Sequence, residues 1–292
     1  MPIRSAAVGL MTEPLVRAVT TRHLLAYAAG IGDTNQRLFD DATTAGIVAH
    51  PAFCTTLEWP AALVIRQHPA LQLPRAEALR GVHAEQDSTF HRPIRPGDRL
   101  CTAAKVIQIR HIQPGALIVT RYDTSDATTG EPVVTSYMST IYRGVPVAGP
   151  DTQSDDVPSL PLPPTPLSWS QPVAMPIARE AAHVYTECAQ IWNPIHTERR
   201  VALEAGLPDI ILHGTATWAM TASQLIRRCA SDDPTRLRRF AGRFAAMVLP
   251  GSTITLQYGV VPGAELAVSY TVCNAAGAPA ITRGLALIAN AA

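Results

Sequence analysis

Charged residues are scarce in this sequence: Asp, Glu, Lys and Arg make up 16% of its 292 residues, whereas hydrophobic residues make up 47%. This composition excludes a solvated, disordered chain and indicates a compact body with extensive internal interfaces. Neither sign of charge dominates, because 24 basic residues stand against 23 acidic ones and the net charge is +1. The sequence therefore predicts no electrostatic attraction for nucleic acid or for an anionic membrane.

Paired cysteines and long apolar runs are also lacking. The five cysteines are odd in number and include no C-x-x-C pair, which argues against a disulfide framework or a thiolate zinc site and favours a reducing compartment. No run approaches the ~20 apolar residues that span a bilayer, and Glu13 and Pro14 interrupt the short apolar stretch near the start. We expect a cytoplasmic protein without a membrane segment or signal peptide.

Metal and phosphate motifs are missing as well. The histidines and carboxylates show no H-E-x-x-H spacing, and no glycine-rich phosphate loop follows a strand. The chain is therefore expected to use no metal and no cofactor. Its densest basic run is either a solvated face or a contact site for a phosphorylated ligand arm, and it comprises Arg236, Arg238, Arg239 and Arg243.

A proline-rich stretch divides the chain nearly in half. Nine prolines fall within residues 146–176, and such a stretch favours extended polyproline geometry on the protein surface. The chain also exceeds the usual single-domain length of roughly 100–200 residues. We therefore predict two domains, over residues 1–145 and 177–292, joined by a semi-rigid linker over residues 146–176.

The two halves carry the same pattern. Tyr27 and Asn35 recur 158 positions later as Tyr185 and Asn193. The run GIVAHPAF answers to DIILHGTA, and FHRPIRPGDRL recurs as FAAMVLPGSTI, with its Phe, Pro and Gly all 154 positions later. Ordered anchors at nearly constant separation indicate a duplicated domain.

Each half has the composition of a helix, a turn, a second and longer helix, and then several strands. The first helices are predicted over His23–Ala29 and Glu180–Ala189, and the long helices begin after Pro51 and after Gly214, with Pro60 inside the first. Alternating β-branched stretches predict strands over residues 100–112, 116–125, 132–144, 253–261, 265–274 and 279–289. The predicted class is α+β, with one long helix against an antiparallel sheet in each half.

Two short motifs carry a resemblance to a known family. The C-terminal half reads NPIH at 193–196 and ILHG at 211–214, and the N-terminal half reads YAAGIGDTNQRLFDDATTAGIVAHPAF. These runs resemble the MaoC-like dehydratase and (R)-specific enoyl-CoA hydratase (hydratase 2) family, the first half being similar to its often degenerate N-terminal repeat. The resemblance implies a double hotdog, in which each repeat wraps an antiparallel sheet around a long central helix.

The resemblance also implies a reaction, the reversible addition of water to the 2,3 double bond of an enoyl thioester. Coenzyme A or an acyl carrier protein would carry the acyl group, and a homodimer is expected. In the family an Asp and a His hold and polarise the water, and a backbone N–H at the His-Gly helix start binds the thioester carbonyl. Such chemistry needs a base, a proton donor and an oxyanion site, and the amide of Gly214 at a helix start would supply the last.

The sequence departs from this pattern at the catalytic pair. At the 158-residue offset, the family Asp corresponds to Asp33 in the first half and to Ile191 in the second. The family His corresponds to His196 in the second half and to Leu38 in the first. Each half therefore keeps one member of the pair, and His196 and Asp33 are the predicted catalytic residues.

Three accounts of the site remain open. In the first, His196 works in the C-terminal half with a substitute partner, which is Glu187, Gln190 or His213. In the second, Asp33 pairs with His50 or with His196. In the third, the protein binds thioesters without hydrating them, catalyses another reaction on an activated acyl or polyketide-like substrate, or supports an active partner chain.

Several other residues are assigned to substrate binding, and each has a structural alternative. Asp33 lies in an Asx-turn sequence and could cap a helix. The histidines at the two helix starts could satisfy backbone groups, Asn193 could brace its turn, and Trp192 could line an acyl pocket or fill the core. His83 is expected at a surface or strand position. The predicted substrate-binding residues are Asn193, His213, Gly214, His50 and Trp192.

Overall fold

The computed structural model describes residues 1–71, 73–155, 157 and 162–290. Each half of the chain packs one long helix against an antiparallel sheet. We call these helices the N-helix, Cys54–Gln67, and the C-helix, Gly214–Cys229. Both predicted long helices are confirmed. Shorter helices are Thr21–Gly30, Gln36–Phe39, Arg75–Ala78, Ala181–Ala189 and Arg199–Glu204.

The sequence of the C-helix explains its placement. Trp218, Ala222 and Leu225 recur at helical spacing and have no exposed surface, so one face of the helix packs into the core. The charged residues of this helix, Arg227 and Arg228, lie in its last turn, where they interact favourably with the helix dipole. The helix ends there, before the turn that leads into the strand Leu237–Phe244.

The longer strands form one continuous antiparallel sheet, and Ile3–Arg4 pairs with Val147–Ala148 in a separate two-stranded sheet. Those of the first half are Leu15–Ala18, Gly81–Phe90, Arg99–Ile112, Gly115–Asp126 and Pro132–Arg143. Those of the second half are Val173–Pro176, Leu237–Phe244, Thr253–Val261, Leu266–Cys273 and Pro279–Ile288. Further short strands are Ile3–Arg4, Val147–Ala148 and Thr152–Gln153. All six strands predicted from β-branched patterns are present.

Two strands that the sequence did not predict join the repeats. Gly81–Phe90 and Leu237–Phe244 pair antiparallel, so that Asp87 lies opposite Ala241 and the two half-sheets become one. Both strands are too polar for a strand pattern to be recognised. The buried carboxylate of Asp87 is compensated across the junction by an ion pair with Arg239.

The predicted linker contacts both halves: Thr152–Gln153 pairs with Arg99–Ile112 of the first half, and the end of the linker lies on the second. Its last residues, Val173–Pro176, form an edge strand on Thr253–Val261, and the Ser170 N–H donates to the Tyr258 carbonyl. Residues 156 and 158–161 of the linker lie outside the described residues. The domain boundaries stay a prediction.

The first helices of the two repeats cross at the centre of the molecule. Tyr27 and Tyr185, which are equivalent in the duplication, meet edge to face with ring centroids 6.0 Å apart. The next equivalent pair, Gly30 and Cys188, is packed so closely that a Cβ at position 30 would lie 2.5 Å from the Cys188 Cβ. The motif loops of the repeats begin directly after this crossing. Of the helices described, none is long and apolar enough to cross a membrane.

Candidate active site

His196 ends the helical turn Pro194–His196, which the Asn-Pro sequence starts. Its Nδ1–H donates to the carbonyl oxygen of Ile211 at 2.8 Å, so the lone pair of the neutral ring lies on Nε2. The side chain is buried, and this burial lowers the pKa of His196 to about 4. At neutral pH His196 is therefore an uncharged base with a fixed orientation.

The ring of His213 packs against one face of the His196 ring. The two imidazoles stack with centroids 3.6 Å apart and planes inclined by 24°. The Nε2–H of His213 donates to the carbonyl oxygen of Ile191 at 3.2 Å, which fixes its tautomer. Burial and the neighbouring His196 hold the pKa of His213 well below its usual value, so two neutral rings can stack without charge repulsion.

The position of the missing carboxylate is filled by an apolar side chain. Ile191 lies in the core, 5% exposed, and only its carbonyl reaches the site. Two of the three predicted substitutes point elsewhere. Glu187 accepts a hydrogen bond from Trp192 at the surface, and Gln190 accepts one from Arg17. Of the three candidates, His213 is the one in contact with His196.

The structure places Trp192 and Asn193 outside a buried pocket. Trp192 is 55% exposed, which argues against both a core position and a closed acyl pocket. The carbonyl of Asn193 accepts the N–H of His196 at 3.1 Å, while its side chain makes no capping bond. Asn193 therefore shapes the turn through its backbone.

Gly214 opens the C-helix beside the paired imidazoles. No side chain caps this helix start, so its first N–H groups point outward at the positive end of a 16-residue helix. The ring of Phe244 lies 3.3 Å from where a Cβ of residue 214 would be, so a side chain at this position would crowd the ring. The arrangement is that of an anion-binding helix terminus next to a neutral base.

The corresponding place in the first repeat is built differently. Asp33 accepts the N–H of Asn35 at 2.9 Å, which is the predicted Asx-turn. His50 accepts the N–H of Ala52 on Nδ1 at 3.2 Å and donates from Nε2 to the hydroxyl of Ser223 at 3.2 Å. Burial lowers the pKa of His50 to about 4, although the nearby Asp33 carboxylate raises it. Both ring nitrogens are therefore engaged in neutral hydrogen bonds.

A narrow cleft lies beside His50. Its empty volume, including the part that is open to solvent, is about 400 Å³. It is lined by residues of both repeats, among them Phe90 and Leu237. The residue after His50 is Pro51, which has no N–H to offer an oxyanion, and Leu38 is buried where the second repeat has His196. The first repeat therefore keeps the histidine at the helix start, but it lacks the base and the free helix-start N–H that the second repeat has.

The loops that carry Asp33 and His196 contact opposite ends of the C-helix. The first-repeat loop reaches the helix through Thr34, which accepts from Arg227, and through His50 at Ser223. His196 stacks on His213 at the other end. At 1.5 Å per residue these contacts are about 15 to 20 Å apart, so the two residues do not meet in one site.

Two residues missed by sequence reasoning adjoin the second site, His83 through its contact with Phe244 and Arg66 through its charge. His83 packs edge-on against Phe244 with centroids 4.8 Å apart, and Arg66 lies over the Trp59 ring at 5.1 Å. The Arg66 charge contributes to the lowered pKa of both His83 and His196. Both residues come from the first repeat, so no motif of the second repeat indicates them.

The basic run divides among separate roles. Arg239 pairs with Asp87, Arg236 donates to the Ala289 carbonyl, and Arg238 lines the cleft beside His50. Within the described residues, no group of three His, Cys, Asp or Glu side chains is arranged to hold a metal ion.

Comparison with known proteins assigns both halves. Residues 167–273 match the family described as "MaoC like domain", and residues 6–136 match the one described as "FAS1-like, dehydratase domain region". Solved structures of the double hotdog kind share the architecture. The second half of the chain therefore contains a MaoC-like domain and the first half a FAS1-like dehydratase region, which agrees with the resemblance of the motifs, and the predicted double hotdog fold is confirmed.

Individual relatives align over most of the chain. A probable enoyl-CoA hydratase 2 of Dictyostelium discoideum is 26% identical over 209 residues, 71% of this chain and 69% of that protein. The 3-hydroxyacyl-thioester dehydratase Y of Mycobacterium tuberculosis is 26% identical over 273 residues, 90% of either chain. A crystal structure of a MaoC-like dehydratase from Phytophthora capsici superposes with a TM-score of 0.79 at 22% identity, covering 96% of this chain and 97% of that one.

Proposed function

We propose that the protein is a hydro-lyase that interconverts 3-hydroxyacyl and 2-enoyl thioesters at the site of the second repeat. The observation that carries this proposal is the pairing of a fixed neutral base, His196, with the uncapped start of the C-helix at Gly214. Two relatives named as an enoyl-CoA hydratase and a 3-hydroxyacyl-thioester dehydratase support the same reaction.

The reaction follows from the roles of these groups. The Gly214 N–H donates a hydrogen bond to the thioester carbonyl oxygen, which stabilises the enolate charge that develops there. In hydration, Nε2 of His196 takes a proton from water as the water oxygen bonds to C3. The same nitrogen then returns a proton to C2, which restores the neutral ring. His213 keeps the His196 ring in place, and no further proton donor is required for the balance.

The replacement His196→Ala tests the assignment. Hydration of crotonyl-CoA, followed by loss of the enoyl thioester absorbance, should fall by roughly 100-fold or more because the only proton carrier is removed. His111→Ala is the matched control, since His111 is exposed on a distant strand. Full activity of a folded His196→Ala protein would contradict the proposal.

We further propose coenzyme A as the carrier, a cytoplasmic location and a homodimer. The names of the hydratase relatives support the carrier. All five cysteines are free thiols in the structure, which agrees with a reducing compartment. Sedimentation analysis of the purified protein measures the oligomeric state directly.

A further inference from the structure

His83 lies on the strand through which the first repeat joins the second. This strand, Gly81–Phe90, pairs with Leu237–Phe244, so its side chains stand next to the second repeat. The His83 ring contacts Phe244, and Phe244 in turn covers the helix start at Gly214. One aromatic ring thus separates His83 from the proposed oxyanion site.

The duplication relates His83 to a residue that lines a cleft. Leu237 of the second repeat lines the cleft of the first repeat together with His50 and Phe90. The equivalents of the phenylalanine and the leucine, at the 154-residue offset, are Phe244 and His83. By this correspondence His83, which contacts Phe244, takes the place in the second repeat that Leu237 takes beside His50 and Phe90. A polar residue occupies the wall of the second site where the first site has an apolar one.

The hydrogen bonds of His83 fix which nitrogen carries the lone pair. Its Nε2–H donates to the carbonyl oxygen of Glu85 at 3.0 Å, which leaves Nδ1 as an acceptor. Burial lowers the pKa of His83 to about 4, and the Arg66 charge acts in the same direction. The ring is neutral at neutral pH, as His196 is.

The strand that carries His83 is anchored in the first repeat by a buried polar network. Gln86 donates from Nε2 to the carboxylate of Glu58 and to the hydroxyl of Ser88. Gln86 and Glu58 are fully buried, and Ser136 donates a further hydrogen bond to the Glu58 carboxylate. The network ties the strand to the N-helix and limits the freedom of the His83 backbone.

We propose that Nδ1 of His83 accepts a hydrogen bond from the water that adds to C3, or from the 3-hydroxyl that leaves. This is the task that a carboxylate at position 191 would perform, and Ile191 has no polar side chain for it. The role rests on the proposed hydro-lyase function. His83 orients the water, while the proton itself moves through His196, so the proton balance of the reaction is unchanged.

The test separates hydration from proton exchange at C2. Exchange of the C2 protons of butanoyl-CoA in D₂O needs a base and an oxyanion site but no water at C3. His83→Leu, which introduces the residue of the first repeat, should lower crotonyl-CoA hydration by about 100-fold or more while this exchange persists. His196→Ala should lose both reactions.

Two further variants complete the comparison. His83→Gln should recover part of the hydration, because the amide oxygen can accept the same hydrogen bond. If His83→Leu fails to fold, the hydration rate of His83→Gln provides the test of the role. His91→Leu is the control, since His91 is exposed just beyond the end of the same strand. Wild-type hydration by His83→Leu, or loss of C2 exchange in a folded His83 variant, would overturn this role. Absence of hydration in the wild-type protein would instead refute the hydro-lyase function on which it rests.

Discussion

The histidines at the two helix starts occupy equivalent places but meet different surroundings. His50 accepts a backbone N–H on Nδ1, which confirms the interpretation that such a residue satisfies the backbone. His213 has no hydrogen-bond partner for Nδ1 among the described residues, because its ring lies under His196. The two repeats differ at one equivalent position, which is Leu38 in the first and His196 in the second. Only in the second repeat does the histidine at the helix start therefore pack against a base.

At the residue scale, Asp33→Asn should leave hydration of crotonyl-CoA unchanged. The amide oxygen of Asn can still accept the Asn35 N–H, and the neighbouring Thr34 contacts the C-helix at Arg227, far from His213. Measured kcat/KM for this variant, set beside His196→Ala, distinguishes the two repeats. A large loss in kcat/KM with unchanged folding would move the reaction to the cleft beside His50.

At the scale of elements, the crossing of the first helices fixes the relative position of the motif loops. The close approach of the helices depends on Gly30, because they leave no room for a side chain at this position. The equivalent residue of the second repeat, Cys188, carries a small side chain, so the two helices differ in sequence at the point where they cross. The 158-residue repeat of Tyr27 and Tyr185 indicated these helices, whereas their contact is a tertiary feature.

Gly30→Ala should destabilise the protein by roughly 1 to 3 kcal/mol, the usual cost of overpacking. Its new Cβ would meet the Cys188 Cβ at 2.5 Å. Urea unfolding measures the change in the free energy of unfolding. Adding Cys188→Gly to the same chain should recover most of the loss, and a double variant as unstable as Gly30→Ala alone would contradict the contact as its cause.

For the whole molecule, the junction between repeats is a sheet with a charge pair at its centre. Arg239 donates two hydrogen bonds to the carboxylate of Asp87, at 2.8 and 2.6 Å, and Asp87 is 1% exposed. A bidentate pair of this kind fixes the register of the strands as well as their association. The proposed site depends on this register, because it brings His83 of one repeat to Phe244 of the other.

Arg239→Leu should lower the free energy of unfolding by about 3 to 5 kcal/mol, since the Asp87 carboxylate would remain buried without its partner. The neighbouring Arg238→Leu is the control and should change stability little, because Arg238 is exposed. Thermal and urea unfolding of both proteins give the comparison. Equal stability of the two variants would show that the pair contributes nothing at the junction.

The sequence by itself determined the duplication, the six β-branched strands, both long helices and the family, because these features depend on local periodicity and on short motifs. It also led to the predictions that His196 and Gly214 belong to the site and that each repeat keeps one member of the family's Asp/His pair. Only the tertiary structure separated Asp33 from His196 and brought His83 and Arg66 toward the second site. Those relations depend on pairing between strands about 150 positions apart, through polar residues that carry no strand pattern of their own.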